Sequence, residues 1–285
     1  MARYRWELAL ISVAAVWGST FTLVQDAVDR TPPMLFLALR FAVAAVFLAL
    51  LGAFRGLTKR EASAGAIIGL ALFGGYTTQT IGLQYTTASN AGFLTGMFVV
   101  FTPVFGALVY RRLPSSPAMV GVALATGGLV LLTSPAGIAI GRGDGLLIVT
   151  AASFAVHILL IDRLGAGTSV LRLAGVQIAV TAVLATGWSA AAERGAPPGD
   201  ALVWFAVVFT AIAATAVGFL VQTRAQRSLP PVRTALILSA EPVFAGIVGY
   251  LVAGDRLGVR GGIGAAMILA GILVAELRAP ATERL

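Results

Sequence analysis

Cysteine is absent from all 285 residues, which excludes disulfides, thiolate metal sites and a cysteine nucleophile and leaves the redox compartment unspecified. Charge is scarce too: Asp, Glu, Lys and Arg make up 11% of the chain against 58% for the apolar set, far from the balance of a soluble domain. One histidine is too few to build a histidine metal site, so no metal or cofactor is expected. The net charge of +8 does not point to nucleic acid, because the basic residues occupy short connectors rather than one stripe. H-E-x-x-H, G-x-S-x-G and a phosphate-binding P-loop are all missing, which removes the commonest hydrolase signatures and ATP as an internal energy source.

What the chain has instead is apolar length. Runs of roughly 20 residues, each able to cross a ~30 Å hydrocarbon layer as a helix, recur from end to end. With Gly, Pro and charge clusters as stops, they predict an all-α membrane protein of ten transmembrane helices, at about 7–25, 34–53, 62–82, 90–110, 118–133, 145–164, 170–190, 201–223, 234–252 and 258–277. The first is too long for the apolar core of a secretory signal and lacks a small-x-small cleavage site before Asp26, so it is expected to be retained. An even count puts both termini on one side. Fourteen Lys/Arg fall on that side, from Arg3 to Arg284, against five opposite (Arg30, Arg142, Arg194, Arg256, Arg260), so the positive-inside rule predicts cytoplasmic termini.

The two halves resemble each other. Thr102-Pro103-Val104-Phe105 in the fourth helix answers Glu241-Pro242-Val243-Phe244 in the ninth, and Gly121 and Gly128 answer Gly264 and Gly271. The spacing shifts from 139 to 143 between these matches, as a short insertion in the second half would produce. Residues 1–137 and 138–285 are therefore expected to be two five-helix repeats. Five helices before the second copy make it enter from the opposite face, which predicts an inverted repeat with a central cavity between its halves.

Trp17-Gly18-Ser19-Thr20, Leu39-Arg40-Phe41, Gly82-Leu83-Gln84-Tyr85-Thr86-Thr87-Ala88, Glu241-Pro242-Val243-Phe244 and Gly254-Asp255-Arg256-Leu257 follow one another in an order that resembles the EamA-type branch of the drug/metabolite transporter superfamily. The resemblance spans nearly the whole chain, and the aromatic and neutral amino-acid exporters are the nearest in appearance. It implies a multi-pass protein of the bacterial inner membrane that exports amino acids or related metabolites by alternating access. Its partners would be a small-molecule substrate and membrane lipids, and a monomer satisfies that expectation. Tyr110-Arg111-Arg112-Leu113 departs from the Gly-Glu-Arg-Leu-like turn usual there.

Ionisable groups inside the membrane are costly and stand out as functional candidates. Glu241, beside Pro242 in the ninth helix, could bind a substrate ammonium or a transported proton, or be a neutral carboxyl bonded between helices. Arg40 lies about two turns inside the second helix, where it could snorkel, serve a structural or gating pair, or meet a substrate carboxylate. His157, opposite Ser19 in the repeat alignment, is either a satisfied buried histidine or a cavity residue. Trp17, at mid-depth before Ser19 and Thr20, offers an aromatic face suited to an organic ligand or to packing, whereas Trp6, Trp188 and Trp204 fall near helix ends, as belt residues do. Tyr76, Thr77, Thr78, Gln79 and Thr80 form a polar run that hydrocarbon would penalise unless one face were wet. Phe98 and Gln177 extend the expected substrate site. Pro103 and Pro242 are expected to kink their helices, and Gly65-x-x-x-Gly69 and Gly92-x-x-x-Gly96 to form packing seams.

Two other classes compete with a carrier. An intramembrane enzyme would use Gly141-Arg142-Gly143-Asp144, a G-x-G-D string, but Asp144 falls in a connector with no second mid-membrane aspartate to share a proton, so no catalytic residue is expected. A passive channel would show filter repeats or charged pore rings, and the sequence has neither.

Overall fold

The computed structural model describes residues 4–132, 141–193, 198–248, 250–251 and 258–277, without the side chains of Ser89 and Arg142. The expected repeat boundary at 137/138, the Gly254 to Leu257 motif, and Arg3, Arg194, Arg256, Arg278 and Arg284 lie outside the described residues. Every regular element among those described is helical: α1 (Arg5–Val28), α2 (Pro33–Leu50), α3 (Lys59–Leu83), α4 in two pieces (Ala88–Gly96 and Phe98–Tyr110), α5 (Ser116–Leu132), α6 (Arg142–Gly165), α7 (Val170–Ala192), α8, α9 in two pieces (Pro231–Leu238 and Glu241–Val248) and α10 (Gly258–Leu277). α8 runs as Ala201–Phe209, a π-helical stretch Thr210–Val217 and Gly218–Ala225. Nine of the described helices are long and apolar enough to cross a membrane. The tenth, α5, has 17 residues, or ~26 Å at ~1.5 Å per residue. This is the ten-helix membrane architecture the hydropathy pattern predicts.

Local chemistry sets the helix ends. Thr58 and Glu61 form a reciprocal capping box at the start of α3, Asp200 accepts from the Leu202 N–H at the start of α8, and Ser169 does the same for Arg172 in α7. Proline opens α2 and both pieces of α9, where its missing N–H costs little. Glu193 accepts from the Met34 and Leu35 N–H groups at 2.9 and 2.8 Å, so the end of α7 caps the start of α2.

The breaks differ from the expected kinks. α4 is interrupted at Met97, not at Pro103, which sits inside the second piece; Gly96 beside the break lacks a side chain, and its Cβ position would lie 3.3 Å from Pro242 Cγ. Next to Pro103, Thr102 Oγ1 donates to Phe98 O of the preceding turn at 2.7 Å. In α9 the turn at Ser239 and Ala240 falls before Glu241, and Pro242 opens the second piece rather than bending a continuous one. The two interruptions therefore meet through Gly96 and Pro242.

Helix packing carries a regular correspondence. α5 packs along α10 and α2 along α7; α3 lies against α6 where α8 lies against α1, α4 against α6 where α9 lies against α1, and α3 against α7 where α8 lies against α2. Adding five to each helix number reproduces the set. The α5–α10 crossing shows it at atomic scale: a Cβ on Gly128 would lie 2.5 Å from Gly264 O and one on Gly264 2.6 Å from Gly128 O, while Gly121 and Gly271 give 2.7 and 2.6 Å against each other's carbonyls. Such reciprocity is the mark of a local two-fold contact. Gly65 and Gly69 form the expected seam, against Val176, Gln177 and Val180 of α7. Gly92 does not: its nearest neighbour is Phe21 at an ordinary 3.8 Å.

Candidate functional site

Seven spans surround a partly open cavity of about 620 Å³, its mouth included, lined by Trp17, Thr20, Phe21 and Val24 of α1, Arg40 of α2, Tyr76, Gln79 and Leu83 of α3, Phe98 of α4, Phe154, His157 and Ile158 of α6, Phe219 and Gln222 of α8, and Leu238 and Glu241 of α9. Val24 and Leu83 lie at the ends of α1 and α3 remote from the termini, while Trp17, His157 and Glu241 lie near mid-depth. The cavity thus extends from the middle of the bundle toward the side opposite the termini. On the terminal side, Gln222 donates to Gln226 Oε1 at 3.2 Å and Gln226 to Ile158 O at 2.8 Å. Further down, Arg233 is paired with Glu276 and Glu7.

Backbone geometry positions the wall. Gly18 brings α1 against the second piece of α9, for its Cβ would meet the Glu241 carbonyl and lie 2.8 Å from Ala245 N. The π-helical stretch of α8 faces α1 and α2: Trp17 Nε1 donates to Ala214 O at 2.7 Å, and Arg40 Nε donates to Thr215 Oγ1 at 2.8 Å. Gly218 leaves room for the indole, since a Cβ there would lie 2.9 Å from Trp17 Nε1. Tyr76 packs edge-on against Phe41, Phe154 and Phe219, and its hydroxyl accepts from Arg40 Nη2 at 3.2 Å.

Of the residues expected in a substrate site, Trp17, Thr20, Tyr76, Gln79, Phe98 and His157 converge on this cavity, as do Arg40 and Glu241. Three are placed elsewhere. Ser19 Oγ donates to Val16 O of its own helix at 2.7 Å; Thr78 Oγ1 is taken up by Gly74 O and Thr150 Oγ1, both at 2.8 Å; Gln177 stands behind the wall, 2.7 Å from His157 Nε2 through Oε1. A short hydroxyl satisfies itself on the preceding turn, which sequence spacing does not reveal. His157 is thereby both hydrogen-bonded and part of the lining. Sequence reasoning missed Phe154 and Phe219, because aromatics in an apolar run read as core; Gln222, an embedded amide of the second half that polarity alone marks, does line the cavity. Gln222 is buried, and its Oε1 has no hydrogen-bond partner among the described residues.

The G-x-G-D aspartate has a structural role. Asp144 accepts from Gly141 N at 2.8 Å and from Asn90 Nδ2 at 2.6 Å, closing the start of α6 and tying it to α4. No cluster of His, Asp or Glu able to hold a metal ion occurs among the described residues.

Comparison with known proteins bears on this arrangement as a whole. The chain is 33% identical to an "Uncharacterized transporter" of Archaeoglobus fulgidus over 95% of its own length and 86% of the relative's, and 22% identical to "Uncharacterized transporter YyaM" of Bacillus subtilis over 94% and 92%. A solved structure described only as "Crystal structure of protein" superposes with a TM-score of 0.82 at 21% identity, covering 97% of this chain and all of the other, a likeness of fold. The profile of the EamA-like transporter family matches twice, at residues 4–134 and 141–277. With both matches together spanning nearly every described helix, the chain belongs to the EamA-like transporter family.

Proposed function

We propose that this transporter is a secondary carrier that exports small metabolites, foremost amino acids with aromatic or neutral side chains, by alternating access across the bacterial inner membrane, with both termini in the cytoplasm. The observation that carries the reading is the mid-depth cavity, whose wall mixes aromatic faces (Trp17, Tyr76, Phe98, Phe154, Phe219) with polar groups (Gln79, His157, Gln222). Such a mixture holds the apolar body of an organic ligand and orients its polar end. The double family match, the fivefold offset of helix contacts and the reciprocal glycine crossing support two inverted repeats that rock about the cavity. The basic connectors on the terminal side support the orientation.

The test is flux of an amino-acid panel in proteoliposomes, with and without a pH gradient, comparing the unmodified chain with Trp17→Ala and Glu241→Gln. Saturable, stereoselective flux that Trp17→Ala weakens supports the carrier. Flux unchanged in selectivity, affinity and rate by both substitutions means the cavity is not the substrate site, and non-saturating flux favours a channel.

A further inference from the structure

Resting on the carrier reading above, we propose that the cavity sorts substrates by charge: the Arg40 guanidinium takes a substrate carboxylate, the Glu241 carboxylate takes a substrate cation, and the π-helical stretch of α8 holds Arg40 in position for the first contact.

The buried charged residues among those described are Arg40, Glu61, Asp144, Arg233 and Glu241. A buried charge is retained at reasonable cost only when it is paired or well hydrogen-bonded. Glu61 is paired with Arg172 at 2.8 Å, Asp144 receives Asn90 and Gly141, and Arg233 sits between Glu276 and Glu7. Arg40 and Glu241 are the buried charged residues that face the cavity. Arg40 is 4% exposed, and its contacts are neutral: Thr215 Oγ1 and Tyr76 Oη by hydrogen bond, and the Tyr76 and Phe41 rings at 4.7 and 5.8 Å. No carboxylate lies within ion-pair distance of it among the described residues. Glu241, 6% exposed, has neither an ion pair nor a side-chain hydrogen bond among those residues. The two buried charged side chains that line the cavity are thus Arg40, which has neutral partners but no carboxylate, and Glu241, which has neither an ion pair nor a side-chain hydrogen bond among the described residues.

The geometry of Arg40 fits a visiting carboxylate. A guanidinium carries five N–H donors in a flat fork that matches a carboxylate edge. Thr215 occupies Nε and Tyr76 occupies Nη2, which leaves Nη1 without a protein acceptor among the described residues. Thr215 is a positioning residue: it touches Arg40, not the substrate. It adjoins Ala214, whose carbonyl receives the Trp17 indole, so two successive residues of the widened turn orient one cationic and one aromatic wall group. Stretches of π-helix often mark functional sites.

The experiment measures binding of phenylalanine, phenethylamine and 3-phenylpropionate, and of leucine with its amine and acid analogues, to the purified full chain by titration calorimetry, with phenylalanine and leucine counterflow in proteoliposomes alongside. In the unmodified protein the amino acid should bind about tenfold or more better than either analogue, the size expected for losing one charge-assisted contact. Arg40→Gln should bring the amino-acid to amine ratio to about one, and Glu241→Gln the amino-acid to acid ratio. Thr215→Val, which keeps shape but removes the acceptor, should lower the amino-acid to amine ratio severalfold, and Thr215→Ser should restore it. Should Arg40→Gln fail to elute as a folded protein, the Thr215 pair decides. Equal binding of amino acid and amine by the unmodified protein, or equal weakening of both by Thr215→Val, overturns the charge sorting while leaving the carrier intact if counterflow persists. Absence of both binding and counterflow overturns the amino-acid reading as well.

Discussion

The reciprocal crossing of α5 and α10 makes a quantitative prediction. A Cβ on Gly128 would lie 2.5 Å from Gly264 O and 2.9 Å from Ile268 N, both backbone atoms that cannot swing aside. Ordinary contact begins near 3.4 Å, so the seam must open by about 3.4 − 2.5 = 0.9 Å. A radial gap of ~0.5–1 Å forfeits a quarter to a half of each dispersion contact along the seam, and overpacking of this kind costs about 1–3 kcal/mol. Gly264→Ala inserts its methyl group at the mirror position, where Gly128 O lies 2.6 Å away, and should cost the same. Because the first methyl group has already opened the seam, the second enters space that exists, and the double variant should cost little more than either single one. The coupling should then recover about 1–2 kcal/mol of the summed costs, within the range seen for residues in contact. Equilibrium unfolding in mixed micelles, followed by the fluorescence of the four tryptophans, reads all three values. Singles costing under about 0.5 kcal/mol, or a double variant equal to their sum, would refute the shared seam.

Further outcomes follow from other contacts. Gly18→Ala should displace the α9 piece that carries Glu241, because the new methyl group meets that residue's carbonyl; loss of amino-acid binding with a fall in melting temperature is expected, and retained binding would count against the placement. Arg111 holds φ 52°, a left-handed conformation costing L-residues about 1–2 kcal/mol, so Arg111→Gly should stabilise the protein by about 0.5–1 kcal/mol after glycine's own entropy cost, read as a higher denaturation midpoint. The Leu202 N–H and then the Arg30 guanidinium hold the Asp200 carboxyl below the usual carboxylate range. Its folded-state value being lowered, this contribution is present above the ordinary aspartate range and lost as pH falls through the lowered one. Asp200→Asn should therefore destabilise at neutral pH and flatten the acid limb of the melting curve, less so in high salt. Arg233→Gln leaves Glu276 and Glu7 without their cation and should cost about 3–5 kcal/mol, as breaking a buried pair does, measured by the same unfolding titration.

Much of the fold was legible because hydrocarbon imposes a simple grammar: apolar length for each span, glycine and proline between them, basic connectors on one side. The interruptions were not. Pro103 invited a kink that falls instead at Met97, beside the glycine that meets Pro242. The π-helical stretch contains neither Gly nor Pro, so no residue type announces it; the groups bonded to it, Trp17 at Ala214 and Arg40 at Thr215, come from other helices. Embedded polarity pointed correctly to the neighbourhood of the cavity, since Tyr76, Gln79, Arg40, His157 and Glu241 share it. Which member of a polar run faces inward was decided by details one sequence hides: Thr78 reaches Thr150, whereas Gln79, one residue on, reaches Thr95 at 3.3 Å across the cavity wall.

At the four glycines joining α5 to α10, main chain rests on main chain. The nearest atom at each point is a carbonyl oxygen, with the Ile268, Leu236 and Ala275 side chains seated close beside it, so one rod turning on the other must slide past those groups as well as give up diffuse attraction. Mechanically the contact is a close-fitting bearing, and a bulky residue at any of its four points would seize it.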